Sequence, residues 1–322
     1  MKILITGITG QDGIFLTKLI QKSFTKFNIL GISRSMNASK FMNKFDIKNL
    51  KRSQSVSLVN LNLLNYESVN KLVGDFIPDL VFNLSGPSSV YESIKNPNIE
   101  DEINLIFDNL TNVLIQNKNL CNFFQASTSE MYGKNNQKEI YNEEDEFIPN
   151  SPYASGKLTN HNKVLNLAET HNWKIFSGIL FNHESEYREE DYLFTKIMNS
   201  ALKIKSGDES YLTVGSLDYC RDWSYAKEII EGVFLMTTEG KRTSYVLGSG
   251  VGTTIGEIIK IVFDFYDLNY EDHIKLNPEI LRKGDPVKII SNPHKINSDL
   301  RWETKLDIET LVEKIIKVKM QH

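Results

Sequence analysis

The chain has few of the residues that build disulfide-rich, fibrous or membrane-spanning proteins. Cys121 and Cys220 are the two cysteines among 322 residues, and neither lies in a CxxC or His/Cys cluster, which argues against a zinc site or a disulfide framework. No apolar run approaches the ~18 residues of a membrane span. The apolar start of the chain is interrupted from Gly7 onward, too early for a secretory signal. We therefore expect a soluble, cytoplasmic protein.

The chain also lacks an excess of charge of one sign. It carries 37 basic and 41 acidic side chains, a net charge of -4, so it lacks the positive field that non-specific nucleic-acid binding needs. Hydrophobic residues at 40% and charged residues at 24% match an ordinary globular protein and exclude collagen-like, disordered and coiled-coil classes. A length of 322 residues favours two domains over one.

The N-terminal half alternates short β-branched runs with longer segments of helical periodicity, which is typical of a parallel sheet covered on both faces. Strands are predicted near residues 2–6, 28–33, 55–59, 79–84, 122–127 and 174–180. After Leu180 the alternation breaks, and the pattern predicts a helix near 193–205 and a returning strand at 245–247.

These elements predict an α/β fold, a Rossmann-type doubly wound parallel sheet with a second, smaller α/β substrate-binding domain. We place the first domain at residues 1–181, with 216–250 returning to it. The second comprises residues 182–215 and 251–322.

A glycine loop follows the first predicted strand and opens the first helix. Its sequence, Gly7-Ile-Thr9-Gly10-Gln11-Asp12-Gly13, can present backbone N–H groups and a helix N-terminus to a pyrophosphate. The spacing is GxxGxxG, and the Lys-Ser/Thr of a nucleoside-triphosphate loop is missing. The loop therefore predicts a dinucleotide site.

The end of the second strand indicates which dinucleotide. Arg34 lies about 20 residues beyond the glycine loop, where an acidic residue would bind the ribose of NAD and an arginine the 2′-phosphate of NADP. This favours NADP over NAD, with a solvated surface charge as the alternative reading of Arg34.

Tyr153 and Lys157 share one face of a helix that Ser151 and Pro152 are predicted to begin. A tyrosine needs a pKa shift of about 3 units, roughly 4 kcal/mol, to act as a base near neutrality. One positive charge at ~4 Å and an effective dielectric of ~20 supplies about that energy. We expect Lys157 to lower the pKa of Tyr153.

Thr128 and Glu130 follow a hydrophobic strand, at the edge of the sheet where ligands of open α/β sheets bind. A threonine hydroxyl there can hydrogen-bond a substrate oxygen, and a carboxylate can move a carbon-bound proton. The alternative reading is a polar loop with Glu130 in water.

The combination GITGQDG, QASTSEMYG, SPYASGK, GILFNHES and CRDWSYAKE resembles the extended short-chain dehydrogenase/reductase family, in its GDP-mannose 4,6-dehydratase branch, over nearly the whole chain. The resemblance implies a lyase that makes GDP-4-keto-6-deoxymannose by internal hydride transfer, with no net redox. It also implies a GDP-sugar substrate and a homodimer or homotetramer, for which the segment from Arg34 to Lys51 is a candidate contact.

The resemblance implies roles for individual residues. Thr128, Glu130, Tyr153 and Lys157 would be catalytic. The cofactor would be bound by the glycine loop and by further residues: Arg34, Asn62, Leu63, Leu84, Ser85, Ser88, Lys157, His183 and Arg188. The nucleotide-sugar would contact Ser88, Glu130, Asn182, Lys196, Arg221 and Arg282.

Some residues depart from the family pattern and leave alternatives open. The family's Asp-Leu near the adenine is Asn62-Leu63 here, its second arginine is Ser35, and Glu186-Tyr187 replaces Pro-Arg. In related dehydratases an Asp precedes the Glu, and here that position is Ser129. A dehydratase of another GDP-sugar such as a heptose, a 4-epimerase and a non-catalytic NADP-binding sensor remain alternatives.

Overall fold

The computed structural model describes residues 1–34, 54–134, 138–282 and 284–321. The predicted subunit contact after Arg34 lies outside the described residues. The strands are β1 Lys2–Thr6, β2 Phe27–Ser33, β3 Gln54–Asn60, β4 Leu80–Asn83, β5 Asn122–Thr128, β6 Ile140–Tyr141, β7 Ile175–Leu180, β8 Asn182–Glu184, β9 Leu212–Val214, β10 Cys220–Tyr225, β11 Ser244–Leu247, β12 Gly252–Thr254, β13 Ile274–Leu276 and β14 Lys288–Ser291. The helices are α1 Gln11–Ser23, α2 Tyr66–Phe76, α3 Val90–Lys95, α4 Ile99–Gln116, α5 Pro152–His171, α6 Leu193–Ser206, α7 Ala226–Glu239, α8 Ile255–Phe265, α9 His294–Leu300 and α10 Ile308–Lys319.

Seven parallel strands form the main sheet in the order β11-β7-β5-β4-β1-β2-β3. The strand order reverses between β1 and β4, and such a reversal opens a crevice at the carboxyl ends of the strands. Each strand predicted from the sequence is present within one or two residues of its predicted bounds. The α/β, doubly wound fold class is confirmed.

Helices cover both faces of this sheet. Ile3 and Ile5 of β1 pack on one face with residues of α1 and α7, whereas Leu4 between them packs on the other face with α2, α4 and α5. Side chains of a strand alternate between faces, so a strand that is apolar at every position is buried from both sides. Among the described residues, none of the helices combines the length and the apolar character that crossing a bilayer needs.

A second, five-stranded sheet follows the order β12-β10-β14-β6, with β8 paired to β10. The chain passes from β7 of the main sheet to β8 of the second within two residues, and Asn182 then pairs with Trp223. Within the stretch 216–250, β11 joins the main sheet and β10 the second. The predicted domain limits remain a proposal.

The helix α5 begins as the sequence predicts, because Ser151 caps it by accepting a 3.2 Å hydrogen bond from Ala154 N, with Pro152 in the first turn. Two turns further along, His161 is buried, with its Nδ1 2.8 Å from Ser177 Oγ and its ring edge-on to Phe147. Burial lowers the pKa of His161 to about 4.

We predict that His161 makes the fold acid-sensitive. Between its ordinary pKa of about 6.5 and the folded-state value, the unfolded chain binds a proton that the folded chain does not, so stability falls as the pH falls. The full shift corresponds to about 3 kcal/mol. His161→Gln should flatten the pH dependence of the free energy of unfolding between pH 6.5 and pH 4, as measured by urea denaturation. The matched change at the exposed His171 should leave that dependence as it is, and equal slopes in all three proteins would contradict the assignment.

Candidate active site

The glycine loop between β1 and α1 is shaped so that side chains do not fit. Gly7 has a φ of +68°, and a Cβ there would lie 2.6 Å from Leu84 O; a Cβ on Gly13 would lie 2.4 Å from Ile8 Cα. Gly10 is the N-cap of α1 and provides no side-chain cap for the N–H groups of the first turn. Uncapped N–H groups at a helix N-terminus suit an anion, so the loop fits a dinucleotide pyrophosphate.

Gln11 connects the loop to the segment after β7. Its Nε2 donates to His183 O at 2.9 Å, and its Oε1 accepts from Ser185 Oγ at 2.8 Å. Both polar ends of this buried amide are thus used within the protein. Gln11, which the sequence predicts as a cofactor contact, thus joins the glycine loop (residues 7–13, the cradle) to residues 183 and 185.

The partly buried Asp12 pairs with the buried His183, with Asp12 Oδ2 3.2 Å from His183 Nε2. His183 Nδ1 lies 2.7 Å from Phe181 O, which fixes the ring. Burial would lower the pKa of His183, but the Asp12 carboxylate raises it above its ordinary value. Likewise burial would raise the pKa of Asp12, and the nearby His183, Arg188 and Lys157 lower it instead.

Arg188 is anchored beside this pair. Its Nε donates to Glu184 Oε2 at 3.0 Å, its Nη2 donates to His183 O at 3.2 Å, and its guanidinium stacks 4.1 Å from the ring centre of Tyr192. The Tyr192 hydroxyl lies 2.7 Å from Ser88 Oγ. The predicted residues Ser88, His183 and Arg188 therefore belong to one connected group.

Further predicted cofactor contacts lie in the glycine loop and after β2, β3 and β4. Thr9 Oγ1 is 2.8 Å from Ser33 Oγ, and Ser85 Oγ donates to Asn83 Oδ1 at 2.9 Å. Asn62 is exposed and its Oδ1 accepts from Leu64 N, while Leu63 is buried and its carbonyl accepts from Asn109. Arg34 is exposed and its Nη1 donates to Glu102 Oε1 at 2.7 Å. Arg34 is thus an exposed residue that already has an acidic partner.

Thr128 ends β5 and caps a short 3₁₀ turn, Ser129–Tyr132, by accepting from Glu130 N at 3.3 Å. Glu130 is held by Arg282, whose Nη1 donates to Glu130 Oε2 at 3.0 Å and whose Nη2 lies 3.4 Å from Oε1. The solvated-loop alternative for Glu130 does not hold in this structure, because both of its oxygens are paired.

Arg282 and Arg221 share the carboxylate of Asp285. Asp285 Oδ2 accepts from Arg282 Nη2 at 2.9 Å, from Arg282 Nε at 3.2 Å and from Arg221 Nη2 at 3.2 Å. Arg221 Nη1 also donates to the carbonyls of Cys220 and Val287. Burial raises the pKa of Asp285 above its ordinary value, against the lowering effect of the two guanidinium groups.

Tyr153 lies buried at the start of α5, hydrogen-bonded to Thr128 and within the electrostatic reach of Glu130. Burial raises the pKa of Tyr153 above its ordinary value, and the contribution of Thr128 in the opposite direction is smaller. The expectation that Lys157 lowers this pKa is wrong for this arrangement. Lys157 Nζ donates to Ala126 O at 2.8 Å and lies 5.8 Å from the centre of the Tyr153 ring, and burial lowers its own pKa to about 8.

Two further predicted substrate residues lie on the second-sheet side. Asn182 is half-buried at the start of β8. Lys196 is exposed on α6, with its Nζ 3.4 Å from Thr213 O of β9. Among the described residues, no cluster of three or more His, Cys, Asp or Glu side chains could hold a metal ion.

The sequence reasoning missed the acidic partners of the cationic residues. Asp285 lies three residues after Arg282, Glu184 lies four before Arg188, and these short spacings were available as a signal. Arg221 and Asp222 are neighbours in the sequence but have different partners. Arg221 pairs with Asp285, whereas Asp222 accepts from Ser249, Gly250 and Ser291.

The chain matches the family model for GDP-mannose 4,6 dehydratase over residues 4–315. It is 28% identical over 320 residues to GDP-mannose 4,6 dehydratase 1 of Arabidopsis thaliana, covering 97% of this chain and 88% of that protein. It is 31% identical over 265 residues to GDP-mannose 4,6-dehydratase of Sinorhizobium fredii, covering 81% of this chain and 75% of that protein.

Solved structures of similar fold contain nicotinamide cofactors. A dTDP-glucose 4,6-dehydratase from Bacillus anthracis, in complex with NAD, superimposes with a TM-score of 0.84 at 18% identity, covering 100% of this chain and 97% of that one. RMD from Pseudomonas aeruginosa, complexed with NADPH, superimposes with a TM-score of 0.80 at 19% identity, covering 100% of this chain and 99% of that one. The likeness confirms the fold.

We predict that Gly13 is needed for stability and Gly10 for dinucleotide binding. Gly13→Ala would place a methyl group against the backbone of Ile8, and overpacking of this kind costs about 1–3 kcal/mol, so the melting temperature should fall. Gly10→Ala meets only Gly7 O at 3.4 Å, so the melting temperature should hold while the affinity for the dinucleotide falls about tenfold, because a pyrophosphate needs that close approach. Thermal melts and NADP+ titration calorimetry measure the two effects. Unchanged affinity in Gly10→Ala would remove the loop from the binding site.

Proposed function

The chain belongs to the GDP-mannose 4,6-dehydratase family, and on that premise we propose that it is a lyase that removes water from GDP-mannose to give GDP-4-keto-6-deoxymannose. The observation that carries the proposal is the meeting of Thr128, Glu130 and Tyr153 at the carboxyl edge of the main sheet. A 4-epimerase needs the tyrosine but has no use for a carboxylate aimed at C5, so Glu130 favours dehydration.

The glycine loop would hold a nicotinamide dinucleotide, and the chemistry that this group would supply is uptake of a hydride from sugar C4 and its return to C6, so that the reaction would have no net redox. Tyr153 removes the proton of the C4 hydroxyl, and Thr128 hydrogen-bonds beside it. Because burial raises the pKa of Tyr153, the proton transfer needs positive charge near the phenol, and Arg188 is the cation whose charge lowers that pKa. The C4 ketone makes the adjacent C5–H acidic.

Glu130 then takes the C5 proton and donates a proton to the C6 hydroxyl, which leaves as water. A final proton returns to C5 as C6 is reduced. Ser129 stands where related dehydratases have a separate acid, so in this chain one carboxylate performs both proton transfers. We assign Asn182, Lys196, Arg221 and Arg282 to the nucleotide-sugar.

We predict that Glu130→Gln slows water loss while leaving the fold intact. Positioned acid–base groups contribute about 10²- to 10⁴-fold, so dehydration of GDP-mannose, followed by the loss of one water mass in mass spectrometry, should slow by that factor. Glu139→Gln, at an exposed carboxylate paired with Lys288, is the matched control and should keep the wild-type rate. A Glu130→Gln enzyme that forms the 4-keto-6-deoxy product at the wild-type rate overturns the assignment.

The nucleotide specificity is a separate expectation: UDP- and dTDP-sugars should give no product with the wild-type enzyme.

We propose NADP as the cofactor, ahead of NAD. Arg34 at the end of β2 supports this choice, and the residues before it, Gly31-Ile-Ser, contain no carboxylate to meet a ribose. Its guanidinium is paired with Glu102, a partner that a 2′-phosphate would have to replace. By resemblance, we further propose a cytoplasmic homodimer or homotetramer.

Arg34 and Glu102 allow a paired test of the cofactor choice. Arg34→Ala should weaken NADP+ binding about 10- to 100-fold, the worth of a charge-assisted hydrogen bond, with little effect on NAD+. Glu102→Gln removes the acidic partner and leaves the arginine, so NADP+ affinity should stay or rise. Calorimetry measures the affinities. If Arg34→Ala loses as much affinity for NAD+ as for NADP+, or if both variants lose the same NADP+ affinity, Arg34 only forms a surface ion pair.

A further inference from the structure

Arg282 is proposed to bind the nucleotide-sugar, but in this structure it is paired with the proposed catalytic carboxylate of Glu130. Its Nη1 donates to Glu130, its Nε donates to Asp285, and its Nη2 lies within reach of both carboxylates. A guanidinium has five N–H groups, so four of them are engaged by carboxylate oxygens. Arg282 therefore has little capacity left for a phosphate in this arrangement.

Glu130 is occupied to the same degree. Both of its oxygens face Arg282, at 3.0 Å and 3.4 Å, whereas the proposed reaction needs one of them against sugar C5. While the two side chains are paired, Arg282 cannot bind a diphosphate and Glu130 cannot remove a proton from the sugar. For the proposed function to operate, this ion pair has to open.

The contacts indicate which side of Arg282 gives way. Its shortest Nη2 contact is with Asp285, at 2.9 Å against 3.4 Å for Glu130, and the Asp285 side chain is 9% exposed against 19% for Glu130. Asp285 is in turn fixed by Arg221, which two backbone carbonyls hold in place. Asp285 is therefore the permanent partner of Arg282, and Glu130 is the exchangeable one.

We propose that Arg282 turns about Asp285, pairing with Glu130 in the free enzyme and with the diphosphate of the nucleotide-sugar in the complex. A diphosphate brings more negative charge to the guanidinium than a single carboxylate does and also reaches Arg221, so it can replace Glu130. Binding of the nucleotide thereby frees the carboxylate that acts on C5. Asp285 is a positioning residue in this scheme, which rests on the proposed function.

The proposal makes GDP and Glu130 competitors for Arg282, and this is measurable without turnover. In Glu130→Gln, calorimetric titration of the holoenzyme with GDP should show an affinity about tenfold higher than in wild type, a usual size for coupled sites. Arg282→Gln should bind GDP about tenfold more weakly. In the Arg282→Gln background, the Glu130→Gln change should no longer improve binding, because the competition is gone.

Two further variants separate competition from simple charge repulsion. Asp285→Asn removes one negative charge beside the same arginine but also removes its pivot, so it should not raise GDP affinity; melting curves check its fold. Glu139→Gln should leave GDP affinity unchanged. An unchanged or reduced affinity in Glu130→Gln, or a gain that persists without Arg282, overturns the proposal. Since the proposed function is judged by the dehydration rate of Glu130→Gln, either idea can fail alone.

Discussion

Burial of charge at the carboxyl edge of the main sheet constrains every other feature of the site. Asp12, His183, Glu184 and Arg188 are removed from most of the solvent, and each has a partner of opposite charge or a backbone carbonyl. An unpaired ion in such a place costs several kcal/mol, whereas a paired and hydrogen-bonded one is tolerated. The fold therefore requires these pairs, and the pairs in turn fix the side chains beside the glycine loop.

The same burial sets the chemistry of Tyr153. A phenol that has left water resists ionisation, and the nearby Glu130 adds to that resistance, so the free protein keeps Tyr153 as a neutral hydrogen-bonding group next to Thr128. Lys157, which is buried as well, is satisfied by the Ala126 carbonyl. In the proposed reaction, Tyr153 has to act as a base against this effect of burial, and Thr128 and Arg188 are the neighbours that lower its pKa.

Local patterns in the sequence predict the parts of this molecule that depend on local geometry. The strand runs, the GxxGxxG turn, the Ser151 cap and the shared helix face of Tyr153 and Lys157 follow from periodicity and from backbone sterics. The electrostatics do not follow. Glu130 meets Arg282 across 152 positions of sequence, and Asp12 meets His183 across 171, so the partner of each charge depends on the fold and on rotamers that no spacing encodes. The failed expectation for Lys157 has the same origin, since a backbone carbonyl of β5 determines where its ammonium group lies.

The turn after β5 explains why a single carboxylate suffices in the proposed reaction. In a 3₁₀ turn successive side chains diverge by about 120°, so they cannot all face the cleft. Ser129, Met131 and Tyr132 are buried, and Glu130 is the member of the turn with part of its side chain exposed. Position 129 holds a serine, which has no carboxyl group to act as a separate acid. In the proposed reaction, the proton that leaves C5 and the proton that reaches the C6 hydroxyl therefore pass through Glu130, so the position of that one carboxylate, and with it that of Arg282, governs both bond-breaking steps.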